Sequence, residues 1–367
     1  MKRINQMEPW IGEEEKQAII AYLDAGGWLT EFKKTRDFEQ MIADYTGSRF
    51  AIVVANGTVS LTTAILALGL GPGDQVLVPD FTMLASATAV SLAGAEPVFV
   101  DVNPTDWCVD LDQVERAITP RTRALMLVSI NGRSPDMARA IDLCQHHKLH
   151  LIEDAAQSLG SWHKGKHLGT WGQIGSFSFS APKVITTGQG GALVTDDPVL
   201  AEKMRKIKDF GRRQAGEDFY ETVGFNFKFT DVQAVIGIEQ MKKLAWRADR
   251  KKEMFRLYQQ ELAAVESVRF PVTDLAEVSP WFIDVLVPEP LALKQYLETK
   301  SIGSRPVYPA LHSQPAFNQS GHFPGAEYVA QHGLWLPSSS FLSDDDIRRV
   351  CQVIREFYAS PTASVGV

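Results

Sequence analysis

Between Asp44 and Asp196 the chain alternates short apolar runs with stretches of helical periodicity, and this alternation limits the fold more than any other feature. The runs are Ala51-Ile52-Val53-Val54, Gln75-Val76-Leu77-Val78, Pro97-Val98-Phe99-Val100, Ala124-Leu125-Met126-Leu127-Val128 and Leu149-His150-Leu151-Ile152. Two more follow closely, Ser176-Phe177-Ser178-Phe179 and Ala192-Leu193-Val194-Thr195. Between the first five lie the helical stretches Ser60–Leu68, Ala85–Leu92, Leu111–Ile118 and Ala138–His147. Strands this apolar are covered on both faces, and strands joined through helices run parallel. The pattern predicts an α/β fold with a mostly parallel central sheet between helices. Gly71-Pro72-Gly73-Asp74 marks one turn from helix back to strand.

Beyond Phe210 the character changes. Thr230–Lys243 and Asp249–Val265 read as long helices, Trp281–Val287 and Ser304–Val307 as strands, and Asp344–Tyr358 as a terminal helix. A chain of 367 residues exceeds what one core organises. Residues 1–245 are therefore expected to form an N-terminal segment and a large lobe, and residues 246–367 a smaller α/β lobe that the N-terminal segment joins. The polar tail Ala359–Val367 is expected to fray.

Charge and cysteine usage exclude several functions. A net charge of −7 without a dense Lys/Arg run argues against nucleic acid or an anionic membrane as partner. Three scattered cysteines, with no CxxC pair and no Cys/His cluster, predict neither a disulfide framework nor a metal site. The N-terminus lacks the apolar stretch of a signal peptide, and no apolar run reaches membrane-spanning length, so a cytoplasmic protein is expected.

Three segments carry residue types suited to chemistry. Glu153-Asp154-Ala155-Ala156-Gln157 follows the run Leu149–Ile152 directly, and ligands of open α/β sheets bind outside the carboxyl ends of strands. Both acids are candidates for a contact there, although Asp154 could equally cap a turn. Lys183 follows Ser176–Phe179 and precedes Gly188-Gln189-Gly190-Gly191. A lysine after a strand is usually solvated, but a desolvated one forms imines with carbonyl cofactors. Asn56-Gly57-Thr58 enters a helix, where free N–H groups suit a phosphate; a simple N-cap is the alternative.

Taken in order along the chain, these segments resemble the nucleotide-sugar aminotransferases of the DegT/DnrJ/EryC1/StrS family. The resemblance runs from Pro9–Gly12 to Leu336-Pro337-Ser338 and includes Asn56-Gly57-Thr58, Gly71-Pro72-Gly73-Asp74, Ile118-Thr119-Pro120-Arg121-Thr122 and Glu153-Asp154-Ala155-Ala156-Gln157. It continues through Ser176-Phe177-Ser178-Phe179 with Lys183, Gly190-Gly191, Gly224-Phe225-Asn226-Phe227-Lys228-Phe229-Thr230-Asp231 and Ser304-Arg305-Pro306-Val307. It implies a fold-type I pyridoxal-phosphate-dependent transferase, aspartate-aminotransferase-like, acting as a homodimer with shared active sites. By the same resemblance Lys183 would hold pyridoxal phosphate and shuttle protons, while Asp154 would keep the pyridine nitrogen protonated. Gln157 would bond the ring hydroxyl oxygen. Gly57, Thr58 and Ser178 would hold the phosphate, and Asn226 would reach the partner subunit's phosphate. Arg305, Tyr308 and His312 would lie near the nucleotide-sugar.

Three departures stand out. Met83 occupies the position where relatives usually stack an aromatic on the cofactor, Ser129 replaces a frequent His, and Asn131-Gly132-Arg133-Ser134 replaces a tyrosine-glycine version. Within the family, Asn56-Gly57-Thr58-Val59, Ile185-Thr186-Thr187-Gly188 and Arg305-Pro306-Val307-Tyr308-Pro309 are most similar to GDP-perosamine synthases. That implies amine transfer from glutamate, through pyridoxamine phosphate, to GDP-linked 4-keto-6-deoxymannose. The alternatives are a sugar dehydratase of the same fold, whose members carry His in place of Lys183, and a non-catalytic nucleotide-sugar sensor, which needs neither Lys183 nor Asp154.

Overall fold

Each apolar run becomes a strand in the computed structural model, which describes residues 2–214 and 216–359. The remainder of the tail expected to fray, residues 360–367, lies outside the described residues. The chain opens with α1 (Glu13–Asp24) and α2 (Lys33–Thr46). It then alternates β1 (Phe50–Val54), α3 (Gly57–Ala67), β2 (Gln75–Pro79), α4 (Ala85–Leu92), β3 (Glu96–Val100), α5 (Leu111–Ala117), β4 (Thr122–Val128), α6 (Met137–His147) and β5 (His150–Asp154). A short hairpin, β6 (Trp162–His163) and β7 (Lys166–His167), leads to β8 (Ile174–Ser178) and β9 (Gly191–Thr195). Then come α7 (Pro198–Lys208), α8 (Asp231–Lys242), α9 (Leu244–Leu262), β10 (Ile283–Leu286) and α10 (Pro290–Thr299). The order ends with β11 (Arg305–Pro306), α11 (Pro324–His332), β12 (Gly333–Leu336) and α12 (Asp344–Ala359).

The central sheet has seven strands in the order β1-β9-β8-β5-β4-β2-β3. From β3 to β8 every neighbouring pair is parallel. β9 runs antiparallel to both β8 and β1, so the sheet is mostly parallel, as the alternation predicted. The reversal has a local cause: residues 179–190 join β8 to β9 without the helix that a parallel return requires. That helix-free loop carries Lys183.

Helix starts follow their caps. Asn56 Oδ1 accepts the Val59 N–H at 3.0 Å, so α3 begins at Gly57, before the expected Ser60. Thr230 Oγ1 accepts the Gln233 N–H at 3.2 Å and opens α8. α9 begins at Leu244, earlier than the expected Asp249, because its first turn is buried against the central core through Leu244.

One apolar core takes in β1, β9 and one face of β2, β4 and β5, with residues such as Ile52, Val76, Met126, Ile152 and Leu193. A second gathers Met254, Phe255 and Tyr258 of α9, Ile283 and Val285 of β10, Leu334 and Leu336 of β12, and Ile347, Val350 and Ile354 of α12. Ile4 belongs to this second core and pairs with Ile302, so the N-terminal segment does join the later part of the chain. β10, β12 and β11 form a small antiparallel sheet there. Among the described residues, no helix is long and apolar enough to cross a membrane.

Candidate active site

β5 and β8 end side by side, pairing Asp154 with Ser176, and the cleft beyond those carboxyl ends has a volume of about 550 Å³. Its wall brings together Gly57 and Thr58 from the start of α3, Met83 before α4, and Asp154 and Gln157 after β5. Ser178 and Lys183 come from the end of β8 and its loop, and Arg305 and Tyr308 from β11 and the turn after it. Two sequence-predicted residues are not brought there. His312 Nδ1 donates to Asp80 Oδ2 at 2.6 Å, the His312 backbone N–H donates to Asp80 Oδ1 at 2.7 Å, and the other ring nitrogen faces Glu327. Asn226 is exposed and pairs through its backbone with Asp209, outside this chain's own cleft, in keeping with an expected role at a partner subunit's phosphate rather than its own.

The floor of the cleft is electrostatically tense. Asp154 is buried; Ser86 Oγ donates to its Oδ2 at 2.7 Å and the Ala156 N–H to its Oδ1 at 3.2 Å. Burial pushes the Asp154 carboxyl up, while the Ser86 hydroxyl, the Ala156 N–H and the Lys183 charge pull it back. Lys183 makes no hydrogen bond through Nζ among the described residues. Its ammonium lies 3.7 Å from the centre of the Trp281 ring, and burial pushes it down to about 8 against the opposing pull of Asp154. Glu153, the second acid expected to contact a ligand, turns away from the cleft. It accepts N–H bonds from Gly169, Trp171 and Gly172 and serves the fold.

The donor set fits pyridoxal phosphate. Gly57 and Thr58 open α3, where the first N–H groups have no carbonyl one turn earlier to bond, and the helix dipole favours an anion. Glycine is required beside them at Gly191, where a Cβ would lie 2.6 Å from the Asn56 carbonyl oxygen, and a Cβ on Gly57 would crowd the Ser178 Cβ at 3.0 Å. Gln157 Oε1 accepts the Asn131 N–H at 2.9 Å, which leaves its amide NH₂ free to donate into the cleft. Asp154 presents a buried carboxylate to a ring N–H. Met83 lines the wall with its sulfur held by the Ala85 N–H at 3.0 Å. A separate depression of about 620 Å³ between α2 and α7 is richer in charge. There Arg205 and Lys208 pair with Glu39, Lys206 with Glu221 and Arg213 with Glu217, so its charge is largely neutralised.

Several residues of the site were not legible in the sequence. Trp281 and Phe282 stack on one another, with ring centres 3.8 Å apart, and both line the cleft. The unusual Asn131–Arg133 segment has a clear place. Arg133 is buried and pairs with Asp284 of β10 at 2.6 Å, Asn131 Nδ2 donates to the same carboxylate at 2.5 Å, and Asn131 N–H fixes Gln157. Asn131 adopts φ 46°, a left-handed conformation that asparagine tolerates better than most residues.

A model of the DegT/DnrJ/EryC1/StrS aminotransferase family matches residues 9–355. The chain belongs to that family. Among curated proteins, the chain is similar to the GDP-perosamine synthase of Escherichia coli O157:H7, 33% identical over 98% of this chain and 100% of the relative. The GDP-perosamine synthase of Caulobacter vibrioides is 34% identical over 95% of this chain and 97% of its own. Among solved structures, Streptomyces venezuelae DesV superposes with a TM-score of 0.90 at 34% identity, covering 95% of each chain. The aminotransferase TlmJ of Streptoalloteichus hindustanus gives 0.92 at 32% identity, covering 98% of this chain and 100% of that one. The fold is thus the fold-type I architecture expected, and the protein is a pyridoxal-phosphate-dependent aminotransferase of the DegT/DnrJ/EryC1/StrS family.

Proposed function

We propose that the chain moves an amino group from glutamate to a nucleotide-linked keto sugar, with GDP-linked 4-keto-6-deoxymannose as acceptor. The observation that carries the acceptor is the near end-to-end likeness to GDP-perosamine synthases from three organisms, at 31–34% identity. The observation that carries the chemistry is the presence of Lys183 and Asp154 on the wall of one cleft. When bound, pyridoxal phosphate supplies an electron sink for the pair left on the substrate carbon and carries the amino group between the two substrates. Lys183 Nζ would hold the cofactor through its aldehyde carbon and would hold and move the proton at the substrate carbon. Asp154 keeps the ring nitrogen protonated, Gln157 donates to the ring oxygen, and Gly57, Thr58 and Ser178 hold the phosphate. Arg305 makes no ion pair among the described residues and stands at the mouth of the cleft beside Tyr308, suited to an anionic group of either substrate.

The site is shared between two chains in this reading. Phe210, Phe219, Tyr220, Val223 and Phe225, in the stretch that leads to Asn226, are 40–81% exposed, an apolar surface that a second copy would cover while bringing Asn226 to its phosphate. The test is amine transfer from glutamate to a panel of keto sugars linked to GDP, dTDP and UDP, with borohydride reduction and peptide mapping of the cofactor. The expected result is preference for the GDP-linked 4-keto sugar and label on Lys183. Preference for another nucleotide overturns the acceptor, and label elsewhere overturns the site.

A further inference from the structure

Lys183 is held by its surroundings at three points, and Trp281 supplies two of them. The indole N–H donates to the Pro182 carbonyl at 2.7 Å, fixing the backbone just before Lys183. The indole face lies 3.7 Å under the Lys183 ammonium. On the other side of Lys183, the buried Arg247 of α9 donates to the Val184 carbonyl at 2.9 Å. Trp281 is itself fixed: Phe282 stacks on its ring, and Lys251, one turn beyond Arg247 on α9, donates to its carbonyl at 2.9 Å and also to that of Ser338. A fully buried lysine spent on a backbone carbonyl is uncommon, because its charge loses hydration. Here its effect is to set the height of the Trp281 ring in the cleft.

We infer that Trp281 is a positioning residue for Lys183, its indole face serving as the seat of the Lys183 ammonium whenever that amine is not bonded to the cofactor. This rests on the reading of Lys183 as the cofactor-binding lysine. The physical basis is the attraction of a desolvated ammonium to the negative face of an indole, which is strongest where water is excluded. The groups that face Lys183 are Asp154 from β5, Arg305 from β11 and Tyr308 beyond it, with Arg247 behind Val184. Asp154 is the only anion among them, and none of them hydrogen-bonds Nζ. Asp154 opposes the downward push of burial from a distance, and the ring is the group in contact that favours the charged form. A seat of this kind keeps a displaced lysine next to the reacting carbon and away from the Asp154 carboxylate, where a direct ion pair would arrest it.

The experiment uses the full-length chain freed of cofactor. Its lysines are reductively methylated with ¹³C-formaldehyde, and the Lys183 signal is assigned by its loss in Lys183→Arg. In the unsubstituted protein, the methyl resonance of Lys183 is expected upfield of the other lysines, because the ring current of an indole face shields groups above it. In Trp281→Leu the resonance should return to the ordinary lysine position, and the midpoint of its pH titration should fall by about one unit. Trp281→Phe keeps a ring face but loses the N–H to Pro182, and should restore most of the upfield shift and of the midpoint. An unshifted resonance in the unsubstituted protein overturns the inference even if the variants fail to fold, as does an equal change in the Leu and Phe variants. Borohydride label on a lysine other than Lys183 overturns the underlying site reading instead, so the two failures are distinguishable.

Discussion

Replacing Arg133 by Met tests whether the unusual segment before α6 is structural support for the cofactor site. The guanidinium is 3% exposed and its partner Asp284 is fully buried, with Nη2 to Oδ2 at 2.6 Å and Nη1 to Oδ1 at 3.2 Å. Nε also donates to the Asp106 carbonyl at 2.8 Å. Removing one partner of such a pair leaves the other charge buried, at a cost of about 3–5 kcal/mol. Asp284 keeps one donor, Asn131 Nδ2, so the lower end of that range applies, about 3 kcal/mol. With a urea slope of about 3 kcal/mol/M, reached by larger chains, the unfolding midpoint should fall by about 1 M. The double variant Arg133→Met, Asp284→Leu removes both charges and should recover much of the loss. Urea unfolding followed by circular dichroism at fixed protein concentration reads both quantities. Because Asn131 N–H fixes Gln157, the single variant should also lose pyridoxal phosphate severalfold faster. A midpoint for Arg133→Met within scatter of the unsubstituted protein, or a double variant less stable than the single, would refute the assignment of an uncompensated buried charge.

Asp154→Asn should keep the fold and bind cofactor but lose transamination on the order of a hundredfold, because the ring nitrogen is no longer held protonated; near-normal turnover would make Asp154 a cap only. Mixed dimers of Lys183→Ala with Asn226→Ala should regain activity over either homodimer, since each mixed dimer rebuilds one intact site; no recovery in confirmed mixed dimers would confine Asn226 to its own chain. His167 is buried with Nε2 accepting the Gly160 N–H at 3.1 Å and Nδ1 facing the Leu168 carbonyl, which fixes it neutral, and burial lowers it to about 4. Its folded form refuses a proton that the unfolded chain accepts, so stability is full above about pH 6.5 and lost as pH falls toward 4, by up to about 3 kcal/mol. Acid unfolding of His167→Asn should show a flatter slope in that window, and an unchanged slope would remove His167 from the account.

What the sequence revealed and what it concealed divide along one physical line. β1 to β5 were legible because their apolar runs are local and mostly buried, with the polar residues Gln75, Glu96, Arg123 and His150 at the starts of the strands. Lys183 and Asp154 were legible because each lies within a few residues of a strand end, where an open sheet places its ligands, whereas Gln157 entered only through the family resemblance. Trp281 was not, since an aromatic at the head of a strand reads as core, and its contact with Lys183 joins positions far apart in the chain. The same holds for Asn131 and Arg133, whose partner Asp284 lies on β10. His312 misled for the converse reason: proximity in sequence to Arg305 and Tyr308 did not survive the turn that hands its ring to Asp80.

The boundary expected between residues 245 and 246 falls inside α9. The first turn of that helix is rooted beside the central sheet through Leu244, and its later turns carry Met254, Phe255 and Tyr258 into the second core. Between these ends sit Arg247 and Lys251, which grip the backbone on either side of the cleft. A gene split at the compositional boundary would therefore sever a continuous rod and strip the N-terminal fragment of both grips at once. Its Lys183 loop would keep its sequence and lose its frame. The enzyme is divisible in apolar content but not in heredity: recombination that exchanges the C-terminal third between relatives must carry α9 whole, or leave the cleft without the helix that holds its two walls together.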